Sequence, residues 1–595
     1  MFNRCRFFPH AERRDPAGPL SPARRGFWLP LAAYLLSCVL YAEPALAQQI
    51  DPAQELLRQQ ERERALRQRQ ESSPDVRLQT QNSDTANRLP SDESPCFIIR
   101  QIVLSGDQAD RFQTALSAAE QTPSGEADAA SGRCLGTRGI NLVMARIQNA
   151  IMARGFVTTR VLAEAQDLSS GTLKLTVIPG RIRTIRFSAD TDSRATKWNA
   201  VAARPGDVLN LRDIEQSLEN FKRVPSADAD IQIVPAEEPD SKPGESDLVI
   251  AWKQGFPFRL TVSADDSGSK STGKYQAGLT LSYDHWWTLN DLFYLSLNQD
   301  LGGGDAGERG TRGFTAHYSV PFGYWLVGLT ASRNRYHQSV AGANQTYMYS
   351  GESRSSEIKL SRLIYRDAVR KTTINLRGWS RSSQNFIDDT EIEVQRRRMA
   401  GWDLGVGHRE FIGTSTLDLN LNYRRGTGAM RALPAPEEAF DEGTSRPQIM
   451  LADMLVTIPF AVGEQRLRYS GNWRAQWNRT PLIPQDRFAI GGRYTVRGFD
   501  GENVLSAERG WLIRNDLGWA LGQSGQELYL GIDHGQVSGP SSKALVGTHL
   551  SGALVGLRGS YKGLSYDVFV GRPINKPAGF ETASSVTGFN LNWSF

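Results

Sequence analysis

The sequence predicts a mainly β protein with a C-terminal 16-stranded transmembrane β-barrel, two smaller α+β domains before it and an N-terminal helix. First, apolar and polar residues alternate in many short segments from about residue 256 to the end, which suits strands with one face toward lipid and the other toward water. Second, about sixteen such segments occur, and single-chain bacterial barrels have an even number of strands. Third, helical stripes occur only before this region. A mean hydropathy of −0.42 is compatible with such a barrel because its lumen is polar.

Residues 1–47 predict a secretory signal peptide. A basic region ends in two arginines, and an uncharged and largely apolar stretch covers 26–42. Small residues at Ala45 and Ala47 then match the pattern that a signal peptidase recognises before its cleavage site. The alternative is a membrane anchor, but the apolar stretch is short for a span and Pro30 interrupts it. We therefore expect an exported mature chain that starts at Gln48.

The segment 48–71 contains a predicted helix, residues 50–71, that is polar on every side. Its acids and bases nearly cancel, and its few apolar residues form no face that a core could bury. Such a helix must be solvated or must lie in a polar cavity. The following residues, 72–94, predict a flexible linker.

Two consecutive stretches share one order of predicted elements: strand, helix, helix, strand, strand. The shared order indicates a tandem repeat of one small α+β domain. In the first domain, 95–180, we predict strands at 97–104, 157–162 and 172–178 and helices at 108–120 and 139–154. In the second domain, 181–254, we predict strands at 181–188, 230–234 and 247–252 and helices near 193–200 and at 211–222.

Cysteine usage predicts a disulfide between Cys96 and Cys134. The chain has 4 cysteines, and the other two lie in the predicted signal peptide. An even pair in an exported chain indicates a disulfide, and the alternative, two free thiols, does not suit an oxidising periplasm. Closing this loop stabilises its domain by about 4 kcal/mol in the chain-entropy model.

The region 255–595 predicts the transmembrane barrel. In 417–424, for example, Leu and Tyr alternate with Asp, Asn and Arg. Short connections, as around Gly413, alternate with long ones, which suits short periplasmic turns and long outer loops. The alternative is an array of soluble β-sandwiches, but such an array would bury Leu, Val and Ile where these polar residues recur. The predicted strands start near residues 256, 275, 291, 311, 324, 355, 370, 398, 414, 447, 465, 507, 526, 548, 563 and 585, and the long connections include 337–354, 382–397, 425–446 and 479–506.

No catalytic signature occurs in the sequence. None of its 7 histidines falls in an H-E-x-x-H motif, and neither a G-x-S-x-G motif nor a phosphate-loop spacing is present. We therefore expect no catalytic residues, no metal and no cofactor, although polar side chains in a lumen leave a barrel enzyme open as an alternative. The formal net charge of +5, from 69 basic and 64 acidic residues, gives no reason to expect nucleic acid as a partner.

Two stretches of sequence carry a family resemblance. One is C-L-G at 134–136 with G-I-N at 139–141 and R-G-F-V-T-T-R at 154–160, and the other is Y-T-V-R-G-F at 494–499 in the predicted loop before the twelfth strand. With the C-terminal Phe595, they resemble the TpsB transporters of two-partner secretion, which export filamentous haemagglutinins, haemolysins and contact-dependent-inhibition proteins. The resemblance covers nearly the whole mature chain. It implies that the two repeated domains are POTRA domains and that the polar helix plugs the barrel lumen.

The resemblance also implies a loop motif that folds into the lumen, formed by Val496, Arg497, Gly498 and Phe499. In the family, the Arg meets an Asp in a G-x-D-x-G motif on the next barrel strand, and the matching residues here are Gly531, Asp533 and Gly535. Alternation supports this pairing independently, because Leu528, Leu530 and Ile532 would face lipid and Asp533 the lumen. A solvated loop charge is the alternative for Arg497. We expect a bidentate Arg–Asp pair that is only partly desolvated.

On this resemblance, the protein is expected in the bacterial outer membrane, surrounded by lipid, with periplasmic N-terminal domains. Its expected function is to recognise and secrete one large TpsA-type exoprotein, and Phe595 is its expected signal to the barrel assembly machinery. The sequence does not say whether that exoprotein is a haemolysin, an adhesin or a contact-dependent-inhibition toxin. An outer-membrane protein insertase is the alternative of the same architecture, but insertases usually carry more POTRA domains and lack the plug helix. A barrel enzyme or an adhesin is the alternative from another class.

Overall fold

The computed structural model describes residues 52–71, 74–79, 88–122, 124–236, 239 and 242–595. The predicted signal peptide and its cleavage site lie outside these ranges. The described residues form a helix, two small α+β units and a closed barrel of 16 long strands, which confirms the predicted fold class. None of the helices in the described part of the chain has the length and apolarity that a membrane span needs.

The predicted polar helix is α1 (Pro52–Gln70). A proline suits the first helical position because the N–H that it lacks has no partner there. Arg67 and Arg69 lie in the last turn, where the negative end of the helix dipole favours cations. Its buried residues include Glu55 and Gln59, so this helix buries polar side chains rather than an apolar stripe.

The first α+β unit encloses one apolar core. Its elements are β1 (Phe97–Ile99), β2 (Gln101–Gly106), α2 (Ala109–Phe112), a 3₁₀ helix (Gln113–Glu120), β3 (Arg133–Leu135), α3 (Thr137–Ala153), β4 (Arg160–Leu162), a 3₁₀ turn (Leu168–Ser170) and β5 (Thr172–Ile178). β5 pairs with β2 in parallel and with β4 antiparallel, and β1 pairs with β3 in a separate sheet. The α3 stripe that contains Val143, Ile147 and Ile151 packs into the core.

Three details of this unit differ from the prediction. The segment 97–104 is two strands, because the chain changes its pairing partner at Arg100 and β1 and β2 belong to different sheets. The helix predicted at 108–120 is one turn of α-helix that continues as a 3₁₀ helix. Strand β3 has no counterpart in the prediction, because three residues show no periodicity.

The second α+β unit has a three-stranded sheet in the order β6-β8-β7, covered by one helix. Its elements are β6 (Arg181–Phe187), α4 (Leu211–Phe221), β7 (Ala227–Pro235) and β8 (Glu245–Gln254). The helix predicted near 193–200 is wrong, because these residues form turns. The physical reason is a contact with the barrel: the Asn199 carbonyl accepts from the Gly323 N–H (2.8 Å), and the Asn199 amide donates to the Pro321 carbonyl (3.2 Å).

Sixteen antiparallel strands close the barrel, and the last pairs with the first. They are β9 (Phe258–Asp265), β10 (Tyr275–Asp284), β11 (Leu292–Gly302), β12 (Arg309–Phe322), β13 (Trp325–Ala341), β14 (Thr346–Arg366), β15 (Arg370–Ile387), β17 (Arg397–Ile412), β18 (Ser415–Thr427), β19 (Gln448–Val462), β20 (Gln465–Asn478), β23 (Arg509–Ala520), β24 (Glu527–Ser538), β25 (His549–Tyr561), β26 (Leu564–Asn575) and β27 (Val586–Ser594). Short pieces complete the set: β16 (Thr390–Glu391) extends β15, and β21 (Phe488–Ile490) pairs with β22 (Leu505–Ala507) inside the loop 479–508. The connections also contain 3₁₀ turns at Glu393–Gln395, Pro436–Phe440, Pro484–Asp486 and Pro540–Ala544.

The long connections predicted at 337–354 and 382–397 are wrong, and the predicted start of β14 is late for the same reason. β13 and β14 stay paired up to Ala341 opposite Thr346, and β15 continues to Ile387. β13 and β14 have 17 and 21 residues, whereas about 9–11 suffice to cross a membrane. The outer parts of these strands need no lipid-facing apolar residues, so their sequence shows no alternation.

Candidate functional site

Helix α1 lies inside the barrel lumen, where its charged side chains contact the wall. Near its two ends, the Thr272 hydroxyl donates to Glu55 (3.2 Å) and the Tyr294 hydroxyl donates to Glu71 (3.1 Å). Three ion pairs between these ends join the helix to β20, β19 and β14: Glu61 with Arg474 (2.6 Å), Arg64 with Asp453, and Arg67 with Glu357. The wall thus supplies the polar cavity that this helix needs.

The helix obstructs a polar channel. Its N-terminal part lies toward the inward-folded loop, since the Arg58 guanidinium donates to the Gly501 carbonyl (2.6 Å). A cavity of about 760 Å³ remains beside the helix, and polar side chains from the helix and from many strands line it.

The loop between β20 and β23 folds into the barrel and places Arg497 on Asp533. The guanidinium Nε and Nη2 donate to the two carboxylate oxygens (2.7 and 2.8 Å), and the Arg497 main-chain N–H donates to the same carboxylate (3.0 Å). Arg497 is 4% exposed and Asp533 is 0% exposed. The expectation that this pair is only partly desolvated is therefore wrong, because the loop itself covers the carboxylate. Such a pair is strong only while both partners are present.

A second carboxylate, Asp516 on β23, binds the same guanidinium and is absent from the sequence prediction. Arg497 Nη2 donates to Asp516 Oδ1 (2.6 Å), and Arg558 Nη1 donates to Asp516 Oδ2 (3.1 Å). The signal that could have found it is strand parity. Trp511 and Leu517 on β23 are exposed to the lipid side, so Asp516 faces the lumen.

The other motif residues pack the loop against the wall. Val496 and Phe499 are buried in one apolar cluster, where Phe499 meets Phe580 edge to face (5.9 Å between ring centroids). Gly498 has a φ of 96°, which favours glycine, and a Cβ there would lie 2.6 Å from the Arg572 carbonyl. Cβ atoms at Gly531 and Gly535 would lie 2.9 Å from Leu554 and 2.8 Å from Val496. The G-x-D-x-G spacing therefore leaves room beside Asp533 for the loop.

Gly552 on β25 is a further part of this seat. A Cβ there would lie 1.9 Å from the Arg497 carbonyl oxygen, so the loop backbone lies directly on the wall at this point. Sequence reasoning missed this residue because a single glycine in a strand carries no motif.

The remaining predicted site residues lie elsewhere. Cys96 and Cys134 are joined by a disulfide (Cα–Cα 5.3 Å) beside the β1–β3 ladder, in the first α+β unit. The main-chain N–H of Phe595 donates to the Leu260 carbonyl on β9 (2.9 Å), and its ring is exposed. Neither location is part of the lumen.

Residues 88–93 are bound to the first α+β unit through two carboxylates, Asp128 in the unit and Glu93 in the segment itself. Burial opposes ionisation of Asp128, but hydrogen bonds from Arg146 (2.6 Å) and from the Leu89 N–H (2.8 Å) outweigh it and hold the pKa of this carboxyl below its usual value. For Glu93, burial is outweighed by three main-chain N–H donors at the start of α3, so its pKa is also lowered. This part of the predicted linker is therefore held in place.

A closed 16-stranded barrel with a charged helix in its lumen, an inward-folded loop and two preceding α+β units defines a membrane transport pore. Residues 244–559 match the family described as "Haemolysin secretion/activation protein ShlB/FhaC/HecB". Residues 97–180 match a POTRA domain of ShlB type, and residues 181–235 match a POTRA domain. The chain belongs to the ShlB/FhaC/HecB family.

Individual relatives cover most of the chain. It is 37% identical over 566 residues to outer membrane transporter CdiB-2 of Burkholderia pseudomallei strain 1026b, across 93% of this chain and 95% of that protein. The solved structure of CdiB from Acinetobacter baumannii is 29% identical with a TM-score of 0.78, across 92% of this chain and 100% of that one. Hemolysin transporter protein ShlB of Serratia marcescens is 22% identical over 407 residues, across 68% of this chain and 71% of that protein.

The family and these relatives confirm the predicted function and location. The protein is an outer-membrane transporter of two-partner secretion, and its POTRA domains lie in the periplasm. The same comparisons favour this function over an outer-membrane insertase.

Proposed function

We propose that this transporter exports one large exoprotein of the contact-dependent-inhibition kind, in preference to a haemolysin or an adhesin. The support is similarity: the two CdiB proteins described above are 37% and 29% identical to the chain, whereas the haemolysin transporter is 22% identical. The family is one of transporters, and we also propose that the chain itself catalyses no reaction.

The observation that carries the export function is the charged helix in the polar lumen. The side chains of the three ion pairs between α1 and the wall are 13–38% exposed, so each pair is partly hydrated and costs less to break than a fully buried pair. With its side chains, an α-helix has a diameter of about 10–12 Å. Departure of the helix would therefore open a channel wide enough for an extended polypeptide. A polar channel suits such a chain, because its main-chain N–H and C=O groups are unpaired.

The division of the chain in this proposal is the one that the sequence predicts. It comprises a signal peptide (1–47), a plug helix (48–71), a linker (72–94), two POTRA domains (95–180 and 181–254) and the barrel (255–595). The loop motif around Arg497 stays anchored on Asp533 and shapes the wall of the channel. The barrel assembly machinery reads Phe595 during insertion, and lipid covers the exposed apolar face of the barrel.

The test is a comparison of cargoes. N-terminal secretion domains of a contact-dependent-inhibition exoprotein, a haemolysin and an adhesin are each expressed with this transporter in a host that lacks its own transporter, and the secreted fraction is measured. We expect at least tenfold more export of the first cargo than of the other two, and none without the transporter. Equal export of all three cargoes, or preference for another, would contradict the proposed cargo, and export of none would contradict the export function.

A further inference from the structure

Residues 74–79, in the predicted linker, lie in a cleft where the second POTRA domain meets the barrel. We call it the junction cleft and define it by Glu215 and Glu219 on α4, Arg366 and Lys371 beside the β14–β15 turn, and Phe411 on β17. The Arg366 guanidinium binds Glu215 (2.9 Å) and Glu219 (3.0 Å), and its side chain is 2% exposed. These ion pairs give the cleft a fixed shape.

The junction cleft binds the main chain of the segment. The Val76 N–H donates to Glu219 (2.9 Å), the Leu78 N–H donates to Glu215 (2.8 Å), and Arg366 donates to the Val76 carbonyl (2.6 Å). Donors two residues apart are the pattern of an extended chain. The acceptors are side-chain carboxylates, so this mode differs from the addition of a strand to a sheet edge.

Side chains of the segment alternate between the two walls of the junction cleft. Val76 and Leu78 pack against the apolar core of the second POTRA domain. The residues between and before them turn to the barrel: Arg77 lies over the Phe411 ring (3.9 Å to its centroid), and Asp75 pairs with Lys371 (2.9 Å). The cleft therefore selects a short extended segment with apolar residues at every second position.

The cleft requires little of the bound sequence beyond apolar residues at alternate positions, but it requires an extended main chain. An unfolded polypeptide in transit meets both requirements. We propose that the junction cleft is a binding site for an extended segment of the exported exoprotein, and that residues 74–79 occupy it in the resting transporter. This proposal rests on the proposed export function. The tethered segment acts at an effective concentration on the order of mM, so an exoprotein displaces it only when it is itself held nearby, for example by the POTRA domains.

The first experiment asks whether the junction cleft binds a peptide in trans, and it uses the full-length transporter in detergent. Val76→Asp with Leu78→Asp places carboxylates in the apolar seat beside Glu215 and Glu219, which should expel the tether. Gln79→Asp, at an exposed position, is the matched control. The probe is a fluorescent peptide with the sequence PDVRLQ of residues 74–79, and its control PDPRLQ lacks the donor to Glu219.

Fluorescence polarisation should show at least tenfold tighter binding of PDVRLQ to the double variant than to the parent or to Gln79→Asp. PDPRLQ should bind at least tenfold more weakly than PDVRLQ, and Glu219→Gln in the double variant should weaken PDVRLQ. Heat-modifiable gel mobility shows that each barrel is folded. Absence of binding to a folded double variant, or equal binding to double variant and parent, would overturn the proposed site.

The second experiment asks whether the exoprotein uses the junction cleft. A photo-cross-linking amino acid replaces Val369, whose carbonyl accepts from the Phe411 N–H (2.8 Å) beside the cleft, and a second one replaces Asn420 in the lumen as a control. With an exoprotein stalled during export, we expect cross-links at both positions. A cross-link at 420 without one at 369 would overturn the proposed occupant. Loss of export itself would count against the proposed function, while the peptide measurement still decides the site.

Discussion

Replacement of Arg497 by alanine should release the loop around residues 494–500 from the wall and leave the barrel folded. The guanidinium makes three side-chain hydrogen bonds, two to Asp533 and one to Asp516, at 2.6–2.8 Å. After the substitution, Asp533 still accepts the hydrogen bond from the main-chain N–H of residue 497 (3.0 Å). Its remaining cationic neighbour is Arg514, whose Nε lies 3.9 Å from Asp533 Oδ2. A fully buried carboxylate thus loses its principal counter-ion.

The magnitude follows from the burial of the pair. Removing one partner of a buried ion pair costs about 3–5 kcal/mol. Because about 1.4 kcal/mol corresponds to a factor of ten, the released fraction of the loop should rise by about two to four orders of magnitude. Arg497→Lys keeps the charge without the planar fork, so the rise there should be about tenfold. The strands keep their ladders in both variants, because neither substitution touches strand pairing.

The two carboxylates should differ in importance. Asp533 accepts three hydrogen bonds from Arg497, whereas Asp516 accepts one and shares its charge with Arg558. Asp533→Asn should therefore release the loop more than Asp516→Asn does. Arg497→Ala combined with Asp533→Ala should be little worse than Arg497→Ala, since both substitutions remove the same interaction.

A cysteine in place of the half-buried Thr495 reports release of the loop. Among the described residues it is the one thiol outside the disulfide. Its rate of maleimide labelling is measured in each background, together with heat-modifiable mobility and export. We expect fast labelling and poor export for Arg497→Ala. Labelling as slow as in the parent would refute the reasoning, and so would single defects that simply multiply in the double variant.

The other predictions concern the loop seat, the plug helix and the first POTRA domain. Gly552→Ala should also speed thiol labelling of the loop, because its Cβ would lie 1.9 Å from a loop carbonyl, whereas the control Gly328→Ala, with 3.6 Å to its nearest neighbour, should not. Deletion of residues 52–70 should raise single-channel conductance in planar bilayers several-fold, since the helix fills a cross-section about 10–12 Å wide; unchanged conductance would count against a plug. Asp128→Asn should destabilise its domain by about 3 kcal/mol, measured by hydrogen exchange of α3. Because the folded pKa of Asp128 lies below the unfolded value, this difference should be complete above about pH 4 and should shrink as the pH falls through the folded pKa. Mass spectrometry of non-reduced peptides should recover the two POTRA cysteines as one linked pair, and alkylation of both without reduction would contradict it.

The barrel could be predicted because a membrane imposes one rule on every strand. Where lipid covers one face, apolar residues must alternate, and the predicted starts of strands such as β10 and β15 coincide with the observed ones. Where strands extend beyond the membrane, as β13 and β14 do around residues 337–354, no lipid covers the outer face and the rule no longer applies. The same sequence then resembles a loop, although its main-chain pairing continues.

The site could be predicted only where it carries a motif. The family resemblance pointed to Arg497, and alternation placed Asp533 in the lumen. Neither pattern distinguishes Asp516 from the other inward-facing acids as a partner of Arg497. Gly552 matters because a backbone from a distant loop touches it, and the sequence does not show which loop arrives there. The junction cleft is hidden for a related reason, because it binds the main chain of residues 74–79 and main-chain contacts leave little trace in residue identity.

The plug helix and the inward loop are held by ion pairs that differ in burial, and this difference bears on the order of events during export. The side chains of the three ion pairs that join the helix to the wall are 13–38% exposed, whereas those of Arg497 and Asp533 are 4% and 0% exposed. Fully exposed pairs contribute about 0–1 kcal/mol and breaking a buried pair costs about 3–5 kcal/mol, so the partly exposed pairs of the helix cost less to break than the Arg497–Asp533 pair. We therefore expect the helix to leave the lumen first, and the loop to remain as part of the wall along which the exoprotein passes.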